Sequence, residues 1–286
     1  MTAIILSLAA AVFLGAGLIL TQFGLKHVHP LSGAAISIPA FTLVFLIASP
    51  LLLAGETVVW SAVPIFAAVG LVFPALLTLL TFASNRALGP IVTASLGNIS
   101  PLFAVLLAVV LLNEPLRLLQ FAGLLLSIGG VLVITVTRTE QMRDWRTWAL
   151  LMPLGAAALR GIIPPVIKIG LEIWPSPIAA GLTGYICSTF VVLLVEKVRN
   201  GRFIVQAPHA GRLWFAATGI SNGVGTILFY VALGHGPVSV VAPLVATYPL
   251  VTVGLSALVL GRMAGGLRLA AGSALTVTGV VLILVG

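Results

Sequence analysis

Residues 3–25 read AIILSLAAAVFLGAGLILTQFGL, a run without one charged side chain. A helix needs roughly 20 apolar residues to cross the hydrocarbon of a bilayer, so this segment is long enough to span. No basic residue precedes it, whereas cleaved signal peptides have a basic start. The run therefore reads as a retained first helix.

The rest of the chain repeats that pattern. Further apolar runs extend over Leu31 to Leu53, Ser61 to Ser84, Ile91 to Leu112 and Leu118 to Thr137. After the polar stretch Arg138 to Arg146 come Thr147 to Leu171, Ser176 to Val195, Leu213 to Leu233, Val238 to Leu260 and Leu267 to Val285. Turn signals separate many of them: His29-Pro30, Gly89-Pro90, Glu114-Pro115, Trp174-Pro175 and Gly236-Pro237. The 286 residues are 60% hydrophobic and only 7% charged, with a mean hydropathy of +1.24. A soluble domain carries roughly 25% charged residues, and this chain could not cover such a surface. The runs lack period-2 alternation, which favours helices over a barrel. Trp60, Trp145, Trp148, Trp174 and Trp214 fall at expected helix ends, where indole seeks the headgroup level.

The net charge of +8 does not indicate nucleic acid. The basic residues form no patch with interleaved aromatics; they lie in short loops. Lys26, Arg86, Arg138, Arg143, Arg146, Lys197, Arg199, Arg202, Arg212, Arg262 and Arg268 follow odd-numbered spans, whereas even-numbered spans are followed by little beyond Arg117 and Lys168. Basic loops stay cytoplasmic, so both termini are expected on the periplasmic side of a bacterial inner membrane. The single cysteine, Cys187, permits no intramolecular disulfide and reads as packing. His27, His29, His209 and His235 lack metal-ligand spacing, and no P-loop, HExxH or GxSxG occurs. No metal or cofactor is expected.

The halves resemble each other. Ala87-Leu88-Gly89 answers Ala232-Leu233-Gly234, Pro101 answers Pro249, Gly123 and Gly130 answer Gly272 and Gly279, and Gly24-Leu25 answers Gly170-Leu171. The offset stays close to half the chain length, as duplication requires. The expected fold is thus an all-α integral membrane protein of about ten transmembrane helices, in two five-helix repeats over residues 1–143 and 144–286. An odd number of spans per repeat inverts the second copy, the arrangement of many secondary transporters, whose site lies near the midplane between repeats.

The order Ala87-Leu88-Gly89, Pro101, Asn113-Glu114-Pro115-Leu116, Gly123 and Gly129-Gly130 resembles the EamA repeat of the drug/metabolite transporter superfamily. The resemblance extends over nearly the whole chain, once per half. It implies a ten-helix carrier that exports amino acids or related small metabolites across a bacterial inner membrane, with some similarity to exporters of aromatic amino acids. Two features depart from the pattern. The family's second acidic position, after the ninth span, is occupied by Leu260-Gly261-Arg262, and Ile36 to Thr42 lacks the arginine many relatives carry in the second helix. The superfamily's small four-helix drug exporters hold a glutamate in their first helix, but Ala3 to Leu25 has no acid. That favours facilitated transport or exchange over proton antiport by that route.

Candidate path residues are the polar side chains within spans. Arg160 lies near the centre of the sixth span, where an unpaired cation costs at least about 2.5 kcal/mol. Pro164 and Pro165 follow and free two backbone carbonyls, so a break with hinge function is expected there. Ser95 and Asn98 share a face of the fourth span near Pro101, Asn222 and Thr226 share one in the eighth, and Tyr248-Pro249 mirrors Ser100-Pro101. Gln22 mirrors Lys168. The first, third, fourth, sixth, eighth and ninth spans are expected to line the path, with the largely apolar fifth and tenth as scaffold or in contact with the partner repeat. Each of these residues could instead serve interhelical hydrogen bonding. Glu56, Glu140, Asp144, Glu172 and Glu196 fall at or beyond helix ends and are expected in water or headgroups. The partners implied are a small-molecule substrate and the lipid bilayer; a membrane channel and a lipid-modifying enzyme are the rival readings.

Overall fold

The computed structural model describes residues 1–77, 80, 97–135, 151–260 and 266–286, which are helical throughout with short connections and contain no strand. The helices are α1 (Thr2–Gly24), α2 (Pro30–Leu52), α3 (Val63–Leu71), α4 (Ser100–Leu112), α5 (Leu118–Thr135), α6 (Leu151–Ile173), α7 (Pro177–Asn200), α8 (His209–His235), α9 (Val238–Val245), α10 (Tyr248–Leu260) and α11 (Gly266–Val285). Five of them, α1, α2, α6, α7 and α8, are individually long and apolar enough to cross a membrane. The third and ninth expected spans are each interrupted. A π-type turn over Val72–Leu76 follows α3, and α9 and α10 together make the ninth.

The described residues divide into two compact units, and each draws on both halves of the sequence. One comprises Met1–Leu76 and Val166–His235; the other comprises Leu77–Pro165 and Gly236–Gly286. In the first, α1 lies antiparallel to α8. Ser221 Oγ donates to the Phe13 carbonyl at 2.7 Å, and the Phe215 ring covers Gly24, where any Cβ would collide. On its other side α8 runs parallel to α2, with Gly219 against the Ser37 carbonyl and Gly223 against Phe41. Glycine is required here because the neighbouring backbone and ring occupy the space of a side chain, as in small-residue membrane interfaces.

The repeat relation is visible inside each unit. In the first, Thr42 Oγ1 of α2 and Thr189 Oγ1 of α7 are 2.8 Å apart. They stand at matching positions of the two repeats and meet each other, as a twofold relation demands of residues on its axis. In the second unit the duplicated glycines of α5 and α11 pair. Gly123 rests against the Gly279 carbonyl and Gly130 against the Gly272 carbonyl, so the register runs in opposite directions along the two helices. Matching helices of the two repeats are therefore antiparallel, which is the signature of inversion.

The connection after α4 shows why Asn113-Glu114-Pro115 has that order. Asn113 adopts a left-handed conformation (φ 51°), a role that asparagine tolerates at a helix end. Pro115 cannot continue the helix. Glu114, 9% exposed, accepts from the Val238 N–H at 2.7 Å through Oε1 and from the Ser239 N–H at 2.9 Å through Oε2. It thus caps the N-terminus of α9, where negative charge is favoured by the helix dipole. Glu114→Gln keeps one acceptor but turns an amide donor toward the other N–H. We expect it to cost about 1–3 kcal/mol, read as a lower midpoint of thermal unfolding in detergent; an unchanged midpoint would remove the cap from the account.

Candidate functional site

Paired helix breaks dominate the second unit. In the fourth span the chain turns at Asn98-Ile99 before α4 begins; in the ninth it turns at Ala246-Thr247 before α10 begins. The breaks match in detail. The Leu102 N–H reaches the Ile99 carbonyl at 3.0 Å, and the Leu250 N–H reaches the Thr247 carbonyl at 2.9 Å. Pro101 and Pro249 follow each turn as the second helical residue, where a missing N–H is harmless to the new helix. It does remove the donor that would have served Gly97 or Val245 one turn earlier.

Asn98 is half-buried, and its Nδ2 is buried with no hydrogen-bond partner among the described residues. Leaving a buried amide unsatisfied costs about 1–3 kcal/mol, so the position is not explained by stability. Asn98 and Pro101 line a cavity of about 10 Å³ together with residues of α5, Pro243 and Ala246. That is room for one water-sized group. The fifth span contacts the partner repeat, packing one face on α11 through Gly123 and Gly130; beyond that expectation, Leu124, Ser127, Ile128 and Val131 meet the cavity.

Arg160 also lies in this unit, half-buried in α6, and makes no hydrogen bond or ion pair among the described residues. The next residue, Gly161, rests directly on the Ser100 carbonyl at the start of α4, where a side chain would clash with Phe103. The backbone of α6 beside Arg160 is thereby held against the start of α4. The helix bearing Arg160 does not break: α6 is continuous through Pro164 and Pro165, both buried. Tyr248 and Pro249 are half-buried at the start of α10. Ser95, Glu140, Asp144, Trp145 and Trp148 lie outside the described residues.

The remaining candidates belong to the first unit. Asn222 is half-buried with its carboxamide against Gly17. Thr226 is 4% exposed and committed to the protein: its Oγ1 donates to the Asn222 carbonyl at 2.8 Å and accepts from Tyr185 OH at 3.3 Å. Lys168 is half-buried and has a partner. Gln22 is exposed near the end of α1.

Two features escaped the sequence reading. The first is a break at Phe73, whose backbone is extended (φ −118°, ψ 128°). Pro74 removes the N–H that Gly70 would have used, and Ser188, fully buried on α7, supplies a replacement. Its hydroxyl lies 2.6 Å from the Gly70 carbonyl and 2.8 Å from that of Phe73. Gly70 and Gly184 meet backbone to backbone, which brings Ser188 within reach. Pro74 was the available signal, hidden in an unbroken apolar run.

The second is Glu196, expected in water but only 3% exposed. Ser32 Oγ donates to its two oxygens at 3.0 and 3.3 Å, and Asn200 Nδ2 donates at 2.7 Å. It sits beside the first turn of α2, which His29 caps by accepting from the Leu31 N–H at 3.3 Å. Arg199 approaches the same His29 Nδ1 at 2.9 Å. Burial, then the Arg199 charge, lower the His29 pKa against the opposing pull of Glu196. Glu56 and Glu172 are exposed, as expected. Trp174, just past the end of α6, is buried beside Phe66. No cluster of three metal-ligating side chains occurs among the described residues.

Comparison with known proteins agrees with this architecture. One solved structure, titled only "Crystal structure of protein", has the same fold, with a TM-score of 0.82 and 18% sequence identity. The match covers 99% of this chain and 96% of that one. No curated protein matches. The family model for EamA-like transporters matches residues 1–136 and again residues 147–285, one copy per half. With two copies of that repeat and helices built for hydrocarbon, the chain is a multi-pass membrane protein that belongs to the EamA-like transporter family.

Proposed function

We propose that this transporter exports small metabolites, foremost amino acids, across a bacterial inner membrane by alternating access, without direct proton antiport through its first helix. The observation that carries the reading is Arg160. A half-buried guanidinium within a membrane helix, without a protein partner among the described residues, is costly unless a ligand or water supplies its counterpart. A planar donor fork suits a carboxylate, a group all amino acids carry. Asn98, Asn222 and Tyr248 supply neutral polar contacts along the path, and Gln22, Ser95, Lys168 and Thr226 complete the polar set. Pro101 and Pro249 provide flexible points at the two breaks, and Pro164-Pro165 weakens α6 by removing two backbone donors. The two five-helix repeats, residues 1–143 and 144–286, are the evolutionary units of the carrier.

The charge bias of the loops places both termini in the periplasm under this reading. A reporter active only in the periplasm, fused after Gly286, should be active; a well-expressed but silent fusion would reverse the orientation. Arg160→Met removes the charge and roughly keeps the stem. It should retain the thermal stability of the native protein while reducing initial amino-acid uptake in proteoliposomes at least about tenfold. Arg160→Lys keeps the charge but loses the fork, and should be impaired as well. Normal uptake by Arg160→Met would take the arginine out of the mechanism, and a variant unable to fold would make it a structural clasp.

A further inference from the structure

We propose that the cavity at the paired breaks of the fourth and ninth spans is a subsite for a hydroxyl group on the substrate's side chain, so that the carrier prefers threonine-like amino acids to apolar isosteres. The inference rests on the amino-acid carrier reading and adds a chemical class to it.

Three observations converge on the cavity. Its size, about 10 Å³, admits one water-sized group and excludes an aromatic ring. Asn98 lines it and holds a buried amide donor that has no acceptor. Ser127 lines it from α5, is 5% exposed, and makes no side-chain hydrogen bond among the described residues. The other walls are apolar, among them Pro101, Leu124, Pro243 and Ala246.

Broken symmetry between the repeats explains why these groups lack a protein partner among the described residues. The counterpart of Asn98 in the second repeat is Ala246, and both face the same cavity. Two asparagines could have satisfied each other; alanine leaves the amide alone and leaves space beside it. The counterpart of Ser127 is Thr276, which is fully buried and donates to its own helix at the Gly272 carbonyl, 2.8 Å away. Ser127 makes no such bond. The site therefore offers one obligate donor and one hydroxyl able to donate or accept, in an apolar surround without a charged side chain.

An alcohol fits that set. Its oxygen accepts from Asn98 Nδ2–H while its proton goes to Ser127 Oγ. A methyl group of the same size does neither and leaves the asparagine unpaired, and sites built to bond a hydroxyl discriminate strongly against the analogue lacking it. A charged side chain would find no counter-ion.

The test compares threonine with valine, which differ by hydroxyl against methyl. Proteoliposomes containing the full-length protein are loaded with unlabelled threonine, and initial entry of labelled threonine is measured against increasing external threonine or valine. Threonine should compete at least about tenfold better than valine. Ser127→Ala and Asn98→Leu should each bring the ratio toward one, and neither should lower the thermal midpoint, because each removes a polar group that has no partner. Equal competition by both amino acids in the native protein overturns the proposal. So does a ratio that survives both substitutions, and so does a fall in stability with the ratio intact, which would mark a resident water only. If no common amino acid exchanges at all, the amino-acid reading itself fails, a result distinct from exchange without discrimination.

Discussion

In hydrocarbon, a backbone N–H or C=O without a partner has no water to turn to. Among the described residues, backbone groups freed at helix breaks and helix starts are met by neighbouring side chains in two places. At Phe73 the repair is Ser188, which lies within hydrogen-bonding distance of both exposed carbonyls. At the start of α9 it is Glu114, which accepts two of the orphaned N–H groups. At the Asn98 turn the side-chain Nδ2 is itself buried without a partner among the described residues. A chain that satisfies its other breaks with buried hydroxyl and carboxylate groups, yet keeps an amide donor unsatisfied, is holding that donor in reserve.

Duplication supplies the frame for this economy. Thr42 meets Thr189, Gly123 meets Gly279 and Gly130 meets Gly272, so residues of one repeat find those of the other in antiparallel order. Where the repeats still agree, at the glycines and threonines, they pack. Where they have diverged, as Asn98 from Ala246 and Ser127 from Thr276, unpartnered polar groups accumulate. Packing and specificity thus draw on opposite parts of the same symmetry: its retention and its loss.

The spans and the duplication were legible in the sequence because both rest on local signals, apolar length and the spacing of glycine and proline. Pro101 and Pro249 likewise marked real breaks, since each lies just inside a new helix. Pro164-Pro165 misled for an instructive reason. A proline removes a donor but need not bend a helix whose neighbours hold it, and Gly161 is pressed against α4 just before the pair. Glu196 was expected in water or headgroups from its position near a helix end, and nothing local to Trp174 marked it as buried in the protein. Their burial depends on Ser32 and Phe66, contacts made across more than a hundred residues of sequence that no local pattern encodes. Ser127 was invisible for the same reason, as a small polar residue in an apolar run whose importance arises only when α5 and the two breaks are assembled.

The central claim is that the molecule carries its substrate through a saturable site rather than passing it through a pore. Counterflow measures this directly. Proteoliposomes loaded with a mixture of unlabelled common amino acids are diluted into medium containing trace amounts of the same mixture, labelled. A carrier by alternating access gives a transient accumulation of label above its equilibrium level, which disappears when the vesicles are not preloaded. Label that rises only to equilibrium, at a rate proportional to concentration without saturation, would contradict the account.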